Sequence, residues 1–221
     1  MAQEEQVLVI ARGILEEAGL FQGLMFDVDR YLRKIFVPGV PRFMPRSQAE
    51  SDDRYKQIIP YVIITYDAKY LCYVRGKRAG EARLLGQMSI GIGGHINPGD
   101  DEFPLFGNAF RQAYTRAVQR EVAEEVSIAA NHRDRIVALL NDDSNGVGRV
   151  HLGIIHYWAL DSFEVSKREQ MITKMAFASC DELQEKRDTM ETWSQLCLDH
   201  LEEMTKYAET RQPLSALFEK A

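Results

Sequence analysis

Arg120-Glu121-Val122-Ala123-Glu124-Glu125 stands near the end of a long helical pattern that runs from Ala109 to Val126. Phe110, Ala113, Ala117, Val118 and Val122 recur there at i, i+3 and i+4 spacing and mark an apolar face. Glu121 and Glu125 are an i, i+4 pair, and Glu121 and Glu124 an i, i+3 pair. The three carboxylates are therefore expected on one side of the helix, opposite Ala117, Val118 and Val122. Like charges at that spacing cost roughly 0.2–0.5 kcal/mol each, and acids near a helix C-terminus oppose its dipole. A solvated acidic face is one account of the cluster. A hard divalent cation is the other, because Mg²⁺ binds through carboxylates together with substrate phosphates. A local fault on an otherwise well-patterned helix favours the functional account.

Upstream, Gly91-Ile92-Gly93-Gly94-His95-Ile96-Asn97-Pro98-Gly99-Asp100 reads as a strand that ends in a glycine-rich turn. Glycines there permit close backbone approach and leave carbonyls free to ligate a cation. Pro98-Gly99 suits the two central positions of a type II turn.

Together the two segments resemble the Nudix hydrolase family. Its box runs Gly, five residues, Glu, seven residues, then Arg-Glu-apolar-x-Glu-Glu-x-Gly-apolar. Gly94 takes the first place, Asp100 stands for the first Glu, and Arg120, Glu121, Val122, Glu124, Glu125 and Ile128 match the rest. Nineteen residues separate Asp100 from Arg120 instead of seven, an insertion of 12. It centres on Asp101 to Asn108, where Phe103, Pro104, Leu105 and Phe106 need cover from water. Ser127 replaces the closing glycine, at an expected cost of about 1 kcal/mol at the helix end.

The resemblance implies an α+β fold, a Nudix-type α/β/α sandwich with a mixed β-sheet. It further implies a metal-dependent hydrolase that cleaves a diphosphate linkage by water attack on phosphorus. The substrate would be a nucleoside diphosphate linked to another moiety or a related organic diphosphate. By carry-over, Glu121, Glu124, Glu125 and the Gly93 carbonyl hold Mg²⁺ or Mn²⁺, and Arg120 steadies the glutamates through charge-assisted hydrogen bonds. A general base is expected from the later loop, from Glu164 or, preferred, Glu169. Arg75, Lys77, Arg78 and Arg83 precede the glycine-rich strand and can grip phosphates, as can His95; solvated loop cations and a structural turn histidine are the plain alternatives. An isoprenoid-diphosphate isomerase would share the fold but needs an active-site cysteine, and Cys72 is the only one before the box. A ligand-binding module without turnover would have no need of three clustered carboxylates. Tyr61, Tyr66, Tyr73 and Trp158 can stack on a base or pack a core.

The rest of the chain sets limits. It has 221 residues, 33 acidic and 27 basic, for a net charge of −6. That balance argues against general nucleic-acid binding, which needs a basic face. There is no apolar run of 18 residues to span a membrane. No charged and apolar leader opens the chain, and the three cysteines are widely spaced, so a reducing cytoplasm is expected. A homodimer is the family-level expectation. One domain is expected over 1–221: a helical extension over 1–50, a core over 55–190 and a C-terminal helix over 191–221. Val7, Ile10, Ile14 and Ala18 predict a helix over Glu4 to Ala18, and the prolines of 37–47 an irregular connection. Tyr61–Tyr66 and Tyr70–Val74 predict a hairpin. Ile136–Leu140, Val150–Leu160 and Met171–Ala178 predict further strands, and Ser179 with Glu182 a capping box. Trp193, Leu196, Leu201, Met204 and Tyr207 predict a C-terminal stripe that packs on the core.

Overall fold

The structure, a computed structural model, describes residues 4–75, 86–100, 109–168 and 172–211. In chain order its elements are β1 (Gln6–Ala11), α1 (Gly13–Ala18), β2 (Gly23–Met25), α2 (Val28–Ile35), β3 (Arg42–Pro45) and α3 (Arg46–Ser51). Then come β4 (Tyr55–Tyr66), β5 (Lys69–Arg75), β6 (Met88–Ser89), β7 (Gly91–Gly93), α4 (Ala109–Glu125), β8 (Val126–Ile128), β9 (His132–Asn141) and β10 (His151–Leu160). The chain closes with β11 (Val165–Lys167), β12 (Ile172–Ala178), α5 (Cys180–Gln184), α6 (Thr192–Leu198) and α7 (Leu201–Thr210).

β4 organises the sheet. Ile58, Val62 and Ile64 face one hydrophobic cluster, Tyr61 and Ile63 the other, and all five are buried. A strand covered on both faces reads as a near-continuous apolar run, which is why YVIITY signals so clearly. β10 runs parallel along one side of β4 from His151↔Gln57 to Ala159↔Thr65. The other side is shared: β1 pairs with Tyr55–Gln57, β7 with Tyr61–Ile63 and β5 with Thr65–Tyr66. Pro60, which has no N–H to donate, falls in the gap between the β1 and β7 pairings. The main path is β12-β5-β4-β10-β9-β2, a mixed sheet.

Helices cover both faces. Tyr114, Ala117, Val118 and Val122 of α4 and Val28, Tyr31, Leu32 and Ile35 of α2 share one cluster with the sheet. Cys197, Leu198, Leu201 and Met204 of α6 and α7 fill the other. Each large apolar side chain so covered contributes about 1.5–3 kcal/mol, and the result is the expected α+β sandwich. The Ser179–Glu182 capping box forms with both of its hydrogen bonds. The β4–β5 hairpin turns on Asp67 and Ala68 alone, both at positive φ (48° and 57°), as a two-residue turn that matches strand twist requires.

Several local expectations are corrected. Residues 6–11 form a strand, not the first turns of a helix, and only Gly13–Ala18 is helical. Val7, Leu8, Val9 and Ile10 are all buried, so the run is covered on both faces and its helical spacing is incidental. The first 50 residues are thus not simply helical: β1 pairs with both β3 and β4, and β3 lies inside the supposed irregular stretch. The glycine-rich strand breaks into β6 and β7. Pro98–Asp100 is a 3-10 turn in which Gly99 lacks the positive φ of a type II turn. α4 passes directly into β8, where Ser127 pairs with Ser166; the chain takes extended backbone there, so no glycine is required. The insertion Asp101 to Asn108 lies outside the described residues.

Candidate active site

The glycine-rich turn and the end of α4 meet because two glycines leave room. β7 runs antiparallel to β4, and a Cβ on Gly93 would stand 2.5 Å from the Pro60 carbonyl oxygen. At Gly94 the neighbour is functional: a Cβ would lie 2.0 Å from Glu121 Oε2 and 2.2 Å from its Cδ. Gly94 has no positive φ, so its requirement is space and not backbone freedom. The Glu121 carboxylate occupies the place a side chain would take.

Arg120 closes the arrangement. Its Nη1 donates to Glu121 Oε1 at 2.8 Å and to Glu124 Oε1 at 3.1 Å. Its Nη2 donates to the His95 carbonyl at 2.9 Å, with Asn97 Oδ1 at 3.4 Å. One guanidinium therefore links two glutamates to the turn, in the fork geometry that makes arginine suited to the task.

The expected placement of the carboxylates opposite the apolar face is wrong. At 100° per residue, Tyr114, Val118, Glu121 and Glu125 lie along one stripe, while Glu124 is turned roughly 100° from Glu125. The Glu121 side chain is 15% exposed and that of Glu124 is 49% exposed. Glu121 and Glu125 thus continue the inward face, and Glu121 there meets the glycine turn. Among the described residues no three His, Cys, Asp or Glu side chains stand ready-grouped as a metal site: Glu121 is at the turn, Glu124 on the outer flank with Arg120.

Two buried networks hold the parts in place. On the α4 stripe, Tyr114 Oη is hydrogen-bonded to His156 Nε2 at 2.6 Å, and His156 Nδ1 faces Asp134 Oδ1 at 2.8 Å. Burial pushes the Tyr114 hydroxyl well above its ordinary pKa, so it stays protonated and pins the helix to β10 and β9. Behind the glycine strand, the Glu191 carboxylate accepts from Ser89 Oγ at 2.6 Å and from Tyr61 Oη at 3.2 Å, and Ser194 Oγ lies 2.8 Å from Tyr61 Oη. Tyr73 Oη donates to the Gly91 carbonyl at 2.9 Å.

Tyr61, Tyr73 and Trp158 are therefore buried core groups and not a stacking surface. Cys72 is buried in β5 and burial pushes its thiol up, away from nucleophile chemistry. His95 does not offer a cation to phosphate. Its ring centroid is 5.8 Å from that of His151 and its Nδ1 is 3.9 Å from Glu5. Burial, with Arg46 and His151 nearby, pulls its pKa down to about 4, so it is neutral at pH 7. What His95 supplies is its backbone carbonyl, together with Asn97 a contribution to Arg120 that no spacing rule in the sequence signals.

Arg75 ends β5; its side chain, and Lys77, Arg78 and Arg83, lie outside the described residues, as does Glu169. Glu164 is near β8, its carbonyl accepting from the Ala129 N–H at 2.9 Å. Arg168, further along, donates its backbone N–H to the Glu125 carbonyl at 3.1 Å and its side chain to the Ala123 carbonyl at 3.0 Å.

Comparison with known proteins agrees with this architecture. No family model matches the chain. It is 34% identical over 209 residues to protein YmaB of Bacillus subtilis (strain 168), across 90% of this chain and 98% of that one. The crystal structure of Tm1382, described as a Nudix hydrolase, superposes with a TM-score of 0.72 at 29% identity, covering 90% of this chain and 99% of the other. With the Gly94–Glu121 contact and the Arg120 clamp in place on that fold, the chain belongs to the Nudix hydrolase family.

Proposed function

We propose that the protein is a Mg²⁺- or Mn²⁺-dependent hydrolase of a diphosphate linkage, acting on a nucleoside diphosphate joined to another moiety or on a related organic diphosphate. The observation that carries this is the Glu121 carboxylate, seated where a Gly94 side chain would be and gripped by Arg120. The donor set fits a hard cation: Glu121 and Glu125 are partly buried carboxylates one turn apart on a single stripe, and carboxylate oxygen is what Mg²⁺ and Mn²⁺ prefer. Glu121, Glu125 and Glu124 would hold the ion, with the Gly93 carbonyl as a backbone ligand. Such an ion, when bound, neutralises the diphosphate and makes a bound water more acidic.

The chain's own groups do the rest. Arg120 fixes the direction of Glu121 and Glu124, so the carboxylates need no reorganisation as charge develops. Glu169 takes the proton of the attacking water. Support for it over Glu164 is the anchoring of Arg168 to the Glu125 carbonyl, which brings the chain to the end of α4 one residue earlier. Arg75, Lys77 and Arg83 bind the phosphates: β5, which ends at Arg75, pairs with β6, and β6 leads into the glycine strand. We place the enzyme in the cytoplasm, as a single-domain homodimer.

A screen of diphosphate-linked compounds with Mg²⁺ and Mn²⁺, reading released phosphate or pyrophosphate, tests the proposal. Glu121→Gln and Glu125→Gln are expected to lower turnover by at least ~100-fold with little change in melting temperature. Loss of folding in step with loss of activity, or no metal-dependent product from any compound, refutes it.

A further inference from the structure

Residues 1–50 lie outside what the Nudix box explains, yet β1 reaches the Arg120 clamp through a continuous set of hydrogen bonds. Leu8 N–H donates to the Ile96 carbonyl at 3.0 Å. Asn97 Nδ2 donates to the Gln6 carbonyl at 2.9 Å and to Glu5 Oε1 at 3.1 Å. The other end of the same amide, Oδ1, faces Arg120 Nη2 at 3.4 Å. Glu5 is in turn tied to α3, its Oε2 accepting from Arg46 Nη1 at 2.9 Å and its carbonyl from the Arg46 N–H at 2.8 Å.

The topology explains why β1 is needed there. β7 leaves β4 after Gly93, and the flank of β4 is next paired by β1 at Gln57. Residues 94–97 cross the gap between these pairings as irregular chain. Without sheet partners of their own on β4, their backbone groups must be met elsewhere: β1 meets the Ile96 carbonyl and Arg120 the His95 carbonyl. The likeness to YmaB and Tm1382 spans 90% of this chain, more than residues 55–221 together make up, so part of the N-terminal segment is shared with both.

We propose that the N-terminal strand is part of the catalytic scaffold and that Asn97 is a positioning residue that couples it to Arg120 and so to Glu121 and Glu124. The inference rests on the proposed metal site for its consequence but not for its mechanism. Asn97 acts through Arg120: its amide donates to β1 and accepts from the clamp at once. Aspartate cannot do both, because it has no hydrogen to give Gln6 and would add a charge beside Glu5.

The test compares wild type, Asn97→Ala and Asn97→Asp, each alone and with Arg120→Ala. Mn²⁺ affinity is read by electron paramagnetic resonance, and the Arg120 guanidinium by side-chain ¹⁵N NMR in the metal-free protein. Removing an outer partner of a metal site typically weakens binding ~10–100-fold, so Asn97→Ala is expected to raise the half-saturating Mn²⁺ about tenfold. In the Arg120→Ala background the same change should have less than about a twofold effect, because the route is already cut. The Arg120 signals should shift or broaden in both Asn97 variants while each remains folded. An unchanged Arg120 signal overturns the proposal, as does an equal loss of Mn²⁺ affinity with and without Arg120. A wild-type protein that binds no Mn²⁺ sinks the metal site instead, and the NMR arm alone then decides the role of Asn97.

Discussion

Replacing Gly94 with alanine isolates the contact on which the functional reading stands. The new Cβ would arrive 2.0 Å from Glu121 Oε2, whereas ordinary contact begins at 3.4 Å, so the carboxylate must withdraw by about 1.4 Å. Misplacement of a reacting or ligating group by 1 Å can cost ~100-fold in rate, equivalent to about 2.7 kcal/mol of transition-state stabilisation. Folding should barely register the change. Gly94 has no positive φ, so alanine enters without backbone strain, and lower freedom of the unfolded chain returns about 0.4–1 kcal/mol. Glu121 is a flexible, partly exposed side chain that can swing aside. The expected outcome is kcat/KM reduced ~100-fold in a Mn²⁺-dependent hydrolysis assay, with a melting temperature within a few degrees of wild type. Gly99→Ala is the control: nothing lies within 4 Å of its Cβ position and its φ is not positive, so activity should stay within about twofold. Activity of Gly94→Ala within about threefold of wild type, or an equal loss in Gly99→Ala, refutes the argument.

Three further outcomes follow from stability alone. Gly91→Ala places a Cβ 2.0 Å from the buried Tyr61 ring, which Ser194 and Glu191 hold in place; overpacking of this kind costs about 1–3 kcal/mol, read as a melting temperature lowered by roughly 2–12 °C. Ala68→Gly relieves a left-handed alanine at φ 57° in the β4–β5 turn and should raise stability by about 1 kcal/mol in a urea titration. Asp143 holds the fully buried Lys56 at 2.7 Å and also pairs with Arg12; burial would raise its pKa, but these hydrogen bonds bring it down to about 2. Its contribution is therefore complete above pH 3.8 and lost as pH falls toward 2, and Asp143→Asn, which takes the carboxylate from Lys56 and leaves it the Gly148 carbonyl, should cost about 3–5 kcal/mol at pH 7 and flatten the acid limb of the stability curve.

What could be read from the sequence depended on how many constraints acted on each stretch. β4 and β10 are buried on both faces, so their apolar runs signal strand without help from neighbours. The capping box at Ser179 is local chemistry and forms as written. β1 misled because Val7-Leu8-Val9-Ile10 is short enough for a helical and a strand period to fit equally well; what decides it is β4 and β3, more than 30 residues away in the chain. The insertion hid nothing from the box, since the pairing of turn and helix is made by Gly94 and Glu121 directly and the connection between them can lengthen at small entropic cost.

The misplaced carboxylates carry the more general lesson. Alanines and valines mark the apolar face of α4 in the sequence, and the expectation that charge is solvated puts the glutamates on the other side. The angles say otherwise: Glu121 and Glu125 fall between Ala117 and Val122 on the inward stripe. A core helix cannot carry acids there unless the groups it meets are not core. In this fold they are not. The last turns of α4 run onto a turn with two glycines, and Arg120 of the helix itself ties that turn down through the His95 carbonyl. Charged residues within the buried stripe of a helix are thus the stronger functional signal, and the test is angular: the stripe that contains them must also contain the residues that anchor the helix, as Tyr114 does here through His156. On that reasoning Tyr114→Phe should slacken α4 at the level of its inward carboxylates. Its expected signature is weaker Mn²⁺ binding with a stability loss of about 1–2 kcal/mol for a buried hydrogen bond. Mn²⁺ affinity unchanged beside that stability loss would show that the helix anchor and the carboxylates are independent.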